Sequence, residues 1–383
     1  MSASHAARLT DLHARMAEAR IDLLVVQDPD TIAWLAGYWG YLGMEFGRAT
    51  LLAVPCEGAP VLITPAMEAE MARRMSWVED LRPWQDGLDG EWPALLEAVV
   101  EAAAHRTIAV ERDKTHPRVL AALARAAGAE PQDASHLISA LRMVKSPEEI
   151  AIMRQAGQVA VAMGAAGRGA IGAGVPEYEV ALAVITAGTR KAAELLGDAA
   201  ADAFTSPTIH NLQIMQSGRH TCMVHRRSTV KTIEEGDPVY LCFCGIANFK
   251  QFKLGFDREY FVGSVTDEQA RVYEVALAAQ RAALASLRPG VRADAVHLAA
   301  EEIYQSAGFG AAYRTGRGIG YSFLEEPQLK RGDATRLQAG MSFAVDGGIT
   351  VPGDFGARVG DSVVITEDGY ECLTEFPREL TVL

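Results

Sequence analysis

Gly316-Arg317-Gly318-Ile319-Gly320, followed by Glu325-Glu326-Pro327, is the stretch on which the fold of this 383-residue chain is read. An arginine stands among glycines, and a pair of acids runs into a proline. Further runs flank it in a fixed order. Upstream, Gly236-Asp237 leads into an apolar segment at 239–243. Downstream come Ala339-Gly340-Met341-Ser342-Phe343-Ala344-Val345-Asp346 and Gly356-Ala357-Arg358-Val359-Gly360-Asp361-Ser362-Val363-Val364. These patterns predict antiparallel strands at 238–263 and 340–366, separated by helices around 267–307.

Working outward, the length suits two domains rather than one core. Leu9, Leu12 and Met16 recur at helical spacing, and Ile21-Asp22-Leu23-Leu24-Val25-Val26 reads as a buried strand. Asp28-Pro29-Asp30 is expected to turn the chain, with short strands following at 50–54 and 61–64. The boundary falls at Val144-Lys145-Ser146-Pro147-Glu148-Glu149, where Ser146 suits an N-cap, Pro147 the first helical position and Glu149 the reciprocal capping-box acceptor. The expected organisation is an α/β N-terminal domain over 1–143 and an α+β domain over 144–383.

The net charge of -13 argues against nucleic acid or an anionic membrane as partner, because phosphate binding needs clustered Lys and Arg. No apolar run reaches the length of a membrane span. The five cysteines form no C-x-x-C pair, so neither a disulfide framework nor a zinc knuckle is indicated. With no basic stretch ahead of an apolar core at the start, a cytoplasmic location is expected.

Taken together, the ordered motifs of residues 145–383 resemble the pita-bread fold of the creatinase, prolidase and methionine aminopeptidase family. Residues 1–143 are similar to the smaller domain of creatinase and prolidase. In the family's metallopeptidases two aspartates, a histidine and two glutamates hold two metal ions. The resemblance carries those positions to Cys242, Gly255, Arg317, Asp346 and Gly360. One carboxylate survives beside a fixed cation, so no metal and no cofactor are expected.

The family has metal-free members, creatinase and ectoine hydrolase, and the resemblance implies further roles. His225 matches the active-site histidine, suited to proton transfer near neutral pH. Asp257 and Asp346 match acids that hold a substrate guanidinium, the alternative for each being a structural salt bridge, for example Asp257 with Arg258. Arg48, in Phe46-Gly47-Arg48, matches a run reaching the neighbouring subunit's site, which implies a homodimer. Arg314 and Arg317 are further candidates for a substrate carboxylate. Cys242 is a candidate catalytic thiol, with Cys244 the alternative inward-facing residue and a plain buried strand residue the bland reading. The expected activity is creatinase-like, metal-independent hydrolysis of a C–N bond in a small zwitterionic guanidino or amidino acid. The alternatives are opening of an ectoine-type cyclic amidine, a non-catalytic relic that binds a peptide or small ligand and, last, a metal-dependent proline-specific peptidase.

Overall fold

The structure is a computed structural model that describes residues 3–87, 91–102, 107–197, 203–209, 214–310 and 312–383. It divides into two compact units, Met1–Arg142 and Met143–Leu383. Among the described residues no helix is long and apolar enough to cross a membrane.

The first unit is built on a six-stranded sheet in the order Asp80–Trp84, Val61–Pro65, Leu51–Pro55, Leu23–Val26, Ile108–Val110, Gln132–Asp133. Leu23–Val26 pairs antiparallel with Leu51–Pro55 on one side and parallel with Ile108–Val110 on the other. All four of its residues are buried, as a continuous apolar run requires. Leu23, Val25, Leu51 and Ile63 pack with Leu96 and Val99 of the helix Trp92–Ala102 and Leu123 of the helix Pro117–Ala127. Asp28-Pro29-Asp30 does not form the expected turn. Asp28 instead caps the helix Pro29–Ala36, accepting a hydrogen bond from the Thr31 amide at 3.0 Å, with Pro29 in the first helical turn.

The second unit is an α+β pita-bread domain. Its sheet runs Glu325–Leu329, Gly316–Gly318, Ser342–Val351, Phe355–Ile365, Asp257–Phe261, Pro238–Cys242, Ile214–Ser217, with Tyr370–Cys372 paired to Phe355–Ile365. Two helix pairs pack with it, Pro147–Ala170 with Glu177–Leu196 and Asp267–Ser286 with Ala293–Ser306. The capping box forms as read: the Glu149 amide donates to Ser146 Oγ at 3.3 Å and the Ser146 amide to Glu149 Oε2 at 2.8 Å.

Helix and sheet meet closely at Gly347, where a Cβ would lie 2.1 Å from the Ala276 carbonyl oxygen. On one face of the sheet a buried ion pair ties the central strands together. Arg258 donates to Asp361 at 2.8 Å and to the carbonyls of Asp257, Gly360, Phe376 and Pro377, and Asp361 also accepts from Gln280, Thr374 and Arg378. Asp257 and Arg258, as neighbours on a strand, face opposite sides. The pairing partner of Arg258 is therefore Asp361, not the Asp257 carboxylate.

Gly347→Ala is expected to cost about 1–3 kcal/mol, because the strand and helix must move apart; a denaturant midpoint measures it. Glu259 is 1% exposed, and burial pushes its carboxyl up to about 8 despite a 2.7 Å hydrogen bond from the Arg358 amide. Its folded value lies above its ordinary one, so the native state holds the extra proton between about 4.5 and about 8, and stability falls as pH rises through that window. The melting temperature of Glu259→Gln should therefore gain on the wild type between pH 5 and pH 8.

Candidate active site

Strand register assembles the centre. Cys242 lies opposite Asp257, Asp257 opposite Gly360, and Gly360 opposite Asp346, in one row across adjacent antiparallel strands. Gly360 provides the room: a Cβ there would lie 2.7 Å from Asp346 Oδ1 and 2.8 Å from Asp257 Oδ2. The two carboxylates converge over a residue that has no side chain. Burial first, and the Asp346 charge second, push the Asp257 carboxyl up to about 6.

Arg317 enters from the neighbouring strand Gly316–Gly318, which pairs with Ser342–Val351. Its Nη1 donates to Asp346 Oδ2 at 2.6 Å and its Nη2 to Cys244 Sγ at 3.6 Å. The ring of Phe323 lies 4.2 Å from the guanidinium carbon and packs close to Gly245 and Gly255. Burial opposes the Arg317 charge, but Asp346, Cys244 and Asp257 more than offset it, and the group stays protonated. Its buried Nε–H has no acceptor among the described residues.

Both cysteines reach this centre. The strand ends at Cys242, and a turn follows in which the Phe243 carbonyl accepts from the Ile246 and Ala247 amides at 3.1 and 3.2 Å. The turn carries Cys244 Sγ to 2.7 Å from Cys242 Sγ and 3.6 Å from Asp257 Oδ1. Burial, Cys244 and Asp257 push the Cys242 thiol well up. For Cys244, the hydrogen bond from Cys242 and the Arg317 charge pull down, while burial and the acids prevail and raise it.

The five positions carried over from the metallopeptidases do not fit a binuclear metal centre. Gly255 and Gly360 offer no donor, and Ala344 and Phe323 pack against the place where a side chain at 255 would stand. Arg317 puts a guanidinium where an imidazole ligand would be. Cys242, Cys244 and Asp257 do bring three potential ligand atoms within 4.8 Å of one another, beside that guanidinium.

Within the second unit, neither His225 nor Arg314 makes a hydrogen bond or ion pair with this cluster. His225 is exposed and makes no hydrogen bond or ion pair with the described residues. Its segment is nonetheless pinned: Gln216 Nε2 donates to the Val224 and Arg226 carbonyls at 3.3 and 2.6 Å, and the fully buried Glu177 binds Arg226, Ser217 and Thr229. Arg314 bonds Gln328 at 3.3 Å on the outermost strand and lies over the Tyr313 ring. In the N-terminal unit Arg48 pairs with Asp86 and stacks on Trp84, while Phe46 is 63% exposed. The Phe323 cap and the space left by Gly360 escape the sequence reading, which leaves Cys242 and Cys244 open as the inward-facing thiol; the turn after Cys242 brings both to the centre.

A two-domain chain with a pita-bread sheet and a polar centre on its middle strands defines a class of hydrolase-like enzymes. Residues 151–367 match the model of metallopeptidase family M24 and residues 8–144 that of the creatinase/prolidase N-terminal domain. The chain belongs to metallopeptidase family M24. It is 33% identical to the agropine synthesis cyclase of Rhizobium rhizogenes, over 96% of this chain and 95% of that one. It is 31% identical to a probable dipeptidase, PepE, of Mycobacterium tuberculosis, over 99% and 96%. The crystal structure of dipeptidase PepE from Mycobacterium ulcerans superposes with a TM-score of 0.80 at 28% identity, covering 99% of this chain and 98% of that one.

These relatives overturn the expected guanidino or amidino hydrolysis, and with it the ectoine-type and relic alternatives: they are named dipeptidases and a cyclase, not amidinohydrolases or binding proteins. The geometry gives the physical reason. The acid assigned to a substrate guanidinium, Asp346, is already bonded to the protein's own guanidinium on Arg317.

Arg317→Ala removes one partner of this pair. It is expected to cost about 3 kcal/mol, the low end for a broken buried pair, because the Asp346 side chain keeps 31% of its exposure. Asp346→Ala in the same background should recover part of that loss, and a double-mutant cycle by chemical denaturation measures both.

Proposed function

We propose that this chain is a metal-independent acyl-transfer enzyme that acts at the amide carbonyl of a small dipeptide-like substrate. The observation that carries this reading is the buried Arg317 bonded to Asp346, beside Asp257 and two thiols, with Gly255 and Gly360 offering no donor for a metal. A dipeptidase passes an acyl group to water, and the same activated acyl group would close a ring if a nucleophile of the substrate itself took the place of water. One carbonyl-activating centre serves either outcome, and the two kinds of relative are reconciled on that basis.

In this reading Arg317 is the fixed cation that stabilises charge developing on the carbonyl oxygen. Asp346 orients Arg317. Asp257, with its raised carboxyl, takes and returns the proton. His225, on its pinned segment, remains a second proton carrier in contact with solvent. A second copy of the chain is part of the proposal: Tyr41, Met44 and Phe46 present exposed apolar surface on one short helix, with Met67 lining the same hollow as Phe46. The five free cysteines accord with a cytoplasmic enzyme.

The test is turnover of a panel of dipeptides, Xaa-Pro included, and of dipeptide analogues that carry a hydroxyl able to close a ring, by chelator-treated protein. Cleavage or ring closure of one compound without metal is the expected result. Activity that returns only with added divalent ions would overturn the reading. On the active compound, Asp257→Asn should lose roughly 10²-fold or more in kcat, and wild-type kcat/KM should fall as pH drops below about 6, where Asp257 takes up its proton. Phe46→Asp should convert a dimer to a monomer in light scattering.

A further inference from the structure

We infer that Cys244 is the nucleophile of this centre, and that the enzyme holds its acyl group as a thioester on that sulfur. The inference rests on the acyl-transfer reading above and deepens it.

Three contacts single out Cys244. Its Sγ lies 2.7 Å from Cys242 Sγ, accepts an Arg317 N–H at 3.6 Å, and stands 3.6 Å from Asp257 Oδ1. The guanidinium favours developing negative charge on the sulfur, and a carboxylate stands ready for the proton, which is the arrangement an attacking thiol needs. Cys242 also reaches the Asp257 carboxyl, but it has no Arg317 donor and is buried to 2% exposure, whereas Cys244 is half-buried. The turn at 243–246 decides between them, because it swings the second thiol back over the row of acids.

The step balances within the named groups. The Cys244 S–H proton passes to Asp257 as sulfur bonds to the carbonyl carbon, and the C=O pair moves onto oxygen beside Arg317. Collapse breaks the C–N bond, and the amine leaves with the proton from Asp257. Water, or a hydroxyl of the same substrate, then gives a proton to Asp257 and attacks the thioester. Release of the acid or of the ring returns that proton to Cys244. Burial keeps the thiol protonated at rest, so the proton leaves during attack, which requires a carboxylate partner rather than a pre-formed thiolate.

The probe is p-nitrophenyl acetate, an activated acyl donor that does not depend on the natural substrate. Brief treatment of the whole chain, acid quench and peptide mapping should locate one hydroxylamine-labile acetyl group on Cys244. It should form at least about tenfold faster there than on half-buried Cys56 and Cys222. Cys242→Ala should retain the Cys244 adduct and Cys244→Ala should lose it. Acetylation at Cys242, or none on Cys244 above the level at Cys56 and Cys222, overturns the inference. The two readings fail separately. A silent dipeptide panel with Cys244 acetylated would remove only the substrate assignment, while dipeptide turnover by Cys244→Ala at the wild-type rate would remove only the nucleophile.

Discussion

The row Cys242, Asp257, Gly360, Asp346 is the constraint on which the site depends. Antiparallel pairing aligns these residues, and the two-residue period sends their side chains to one face. Opposite that face, Arg258 and Asp361 join the same strands through charge-assisted hydrogen bonds. A one-residue slip would exchange the faces, placing Arg258 in the centre and Asp257 among the buried groups behind it. The ion pair on the far side thus fixes the register that the chemistry needs.

The guanidinium of Arg317 sets the electrostatics of the fold's centre. A metal needs several anionic donors at short range, and here Gly255 and Gly360 supply none. Arginine brings a permanent single charge, with donors in a planar fork. One carboxylate, Asp346, neutralises it, and the second, Asp257, then becomes costly to ionise. Burial first and the Asp346 charge second raise the Asp257 carboxyl, against the pull of Arg317, and make that residue suitable as a proton carrier. Phe323 closes the guanidinium from one side and strengthens its interactions by excluding water.

Much of this was legible in the chain. The capping box at Ser146 and the strand segments could be read from local pattern, because turn chemistry and strand period are local properties, whereas the pita-bread fold and the candidacy of Arg317, Asp257 and Asp346 came from the resemblance of the ordered motifs. Three features were not. The bond between Arg317 and Asp346 spans 29 residues and decides whether Asp346 is available to a substrate; no local pattern carries it. The choice between Cys242 and Cys244 depended on a turn just beyond the end of a strand, where the alternation of faces no longer holds. Asp28-Pro29 looked like a turn because the same residues serve turns and helix starts, and only the apolar run through Ile32, Ala33 and Leu35, buried in the core, distinguishes them.

The most direct measurement of the central claim is the metal content of the purified chain after dialysis against manganese, cobalt and zinc, each followed by gel filtration. A centre occupied by Arg317 predicts divalent ions well below one per chain for wild type under all three conditions. A stoichiometric complement of tightly held ions, retained through gel filtration, would contradict it.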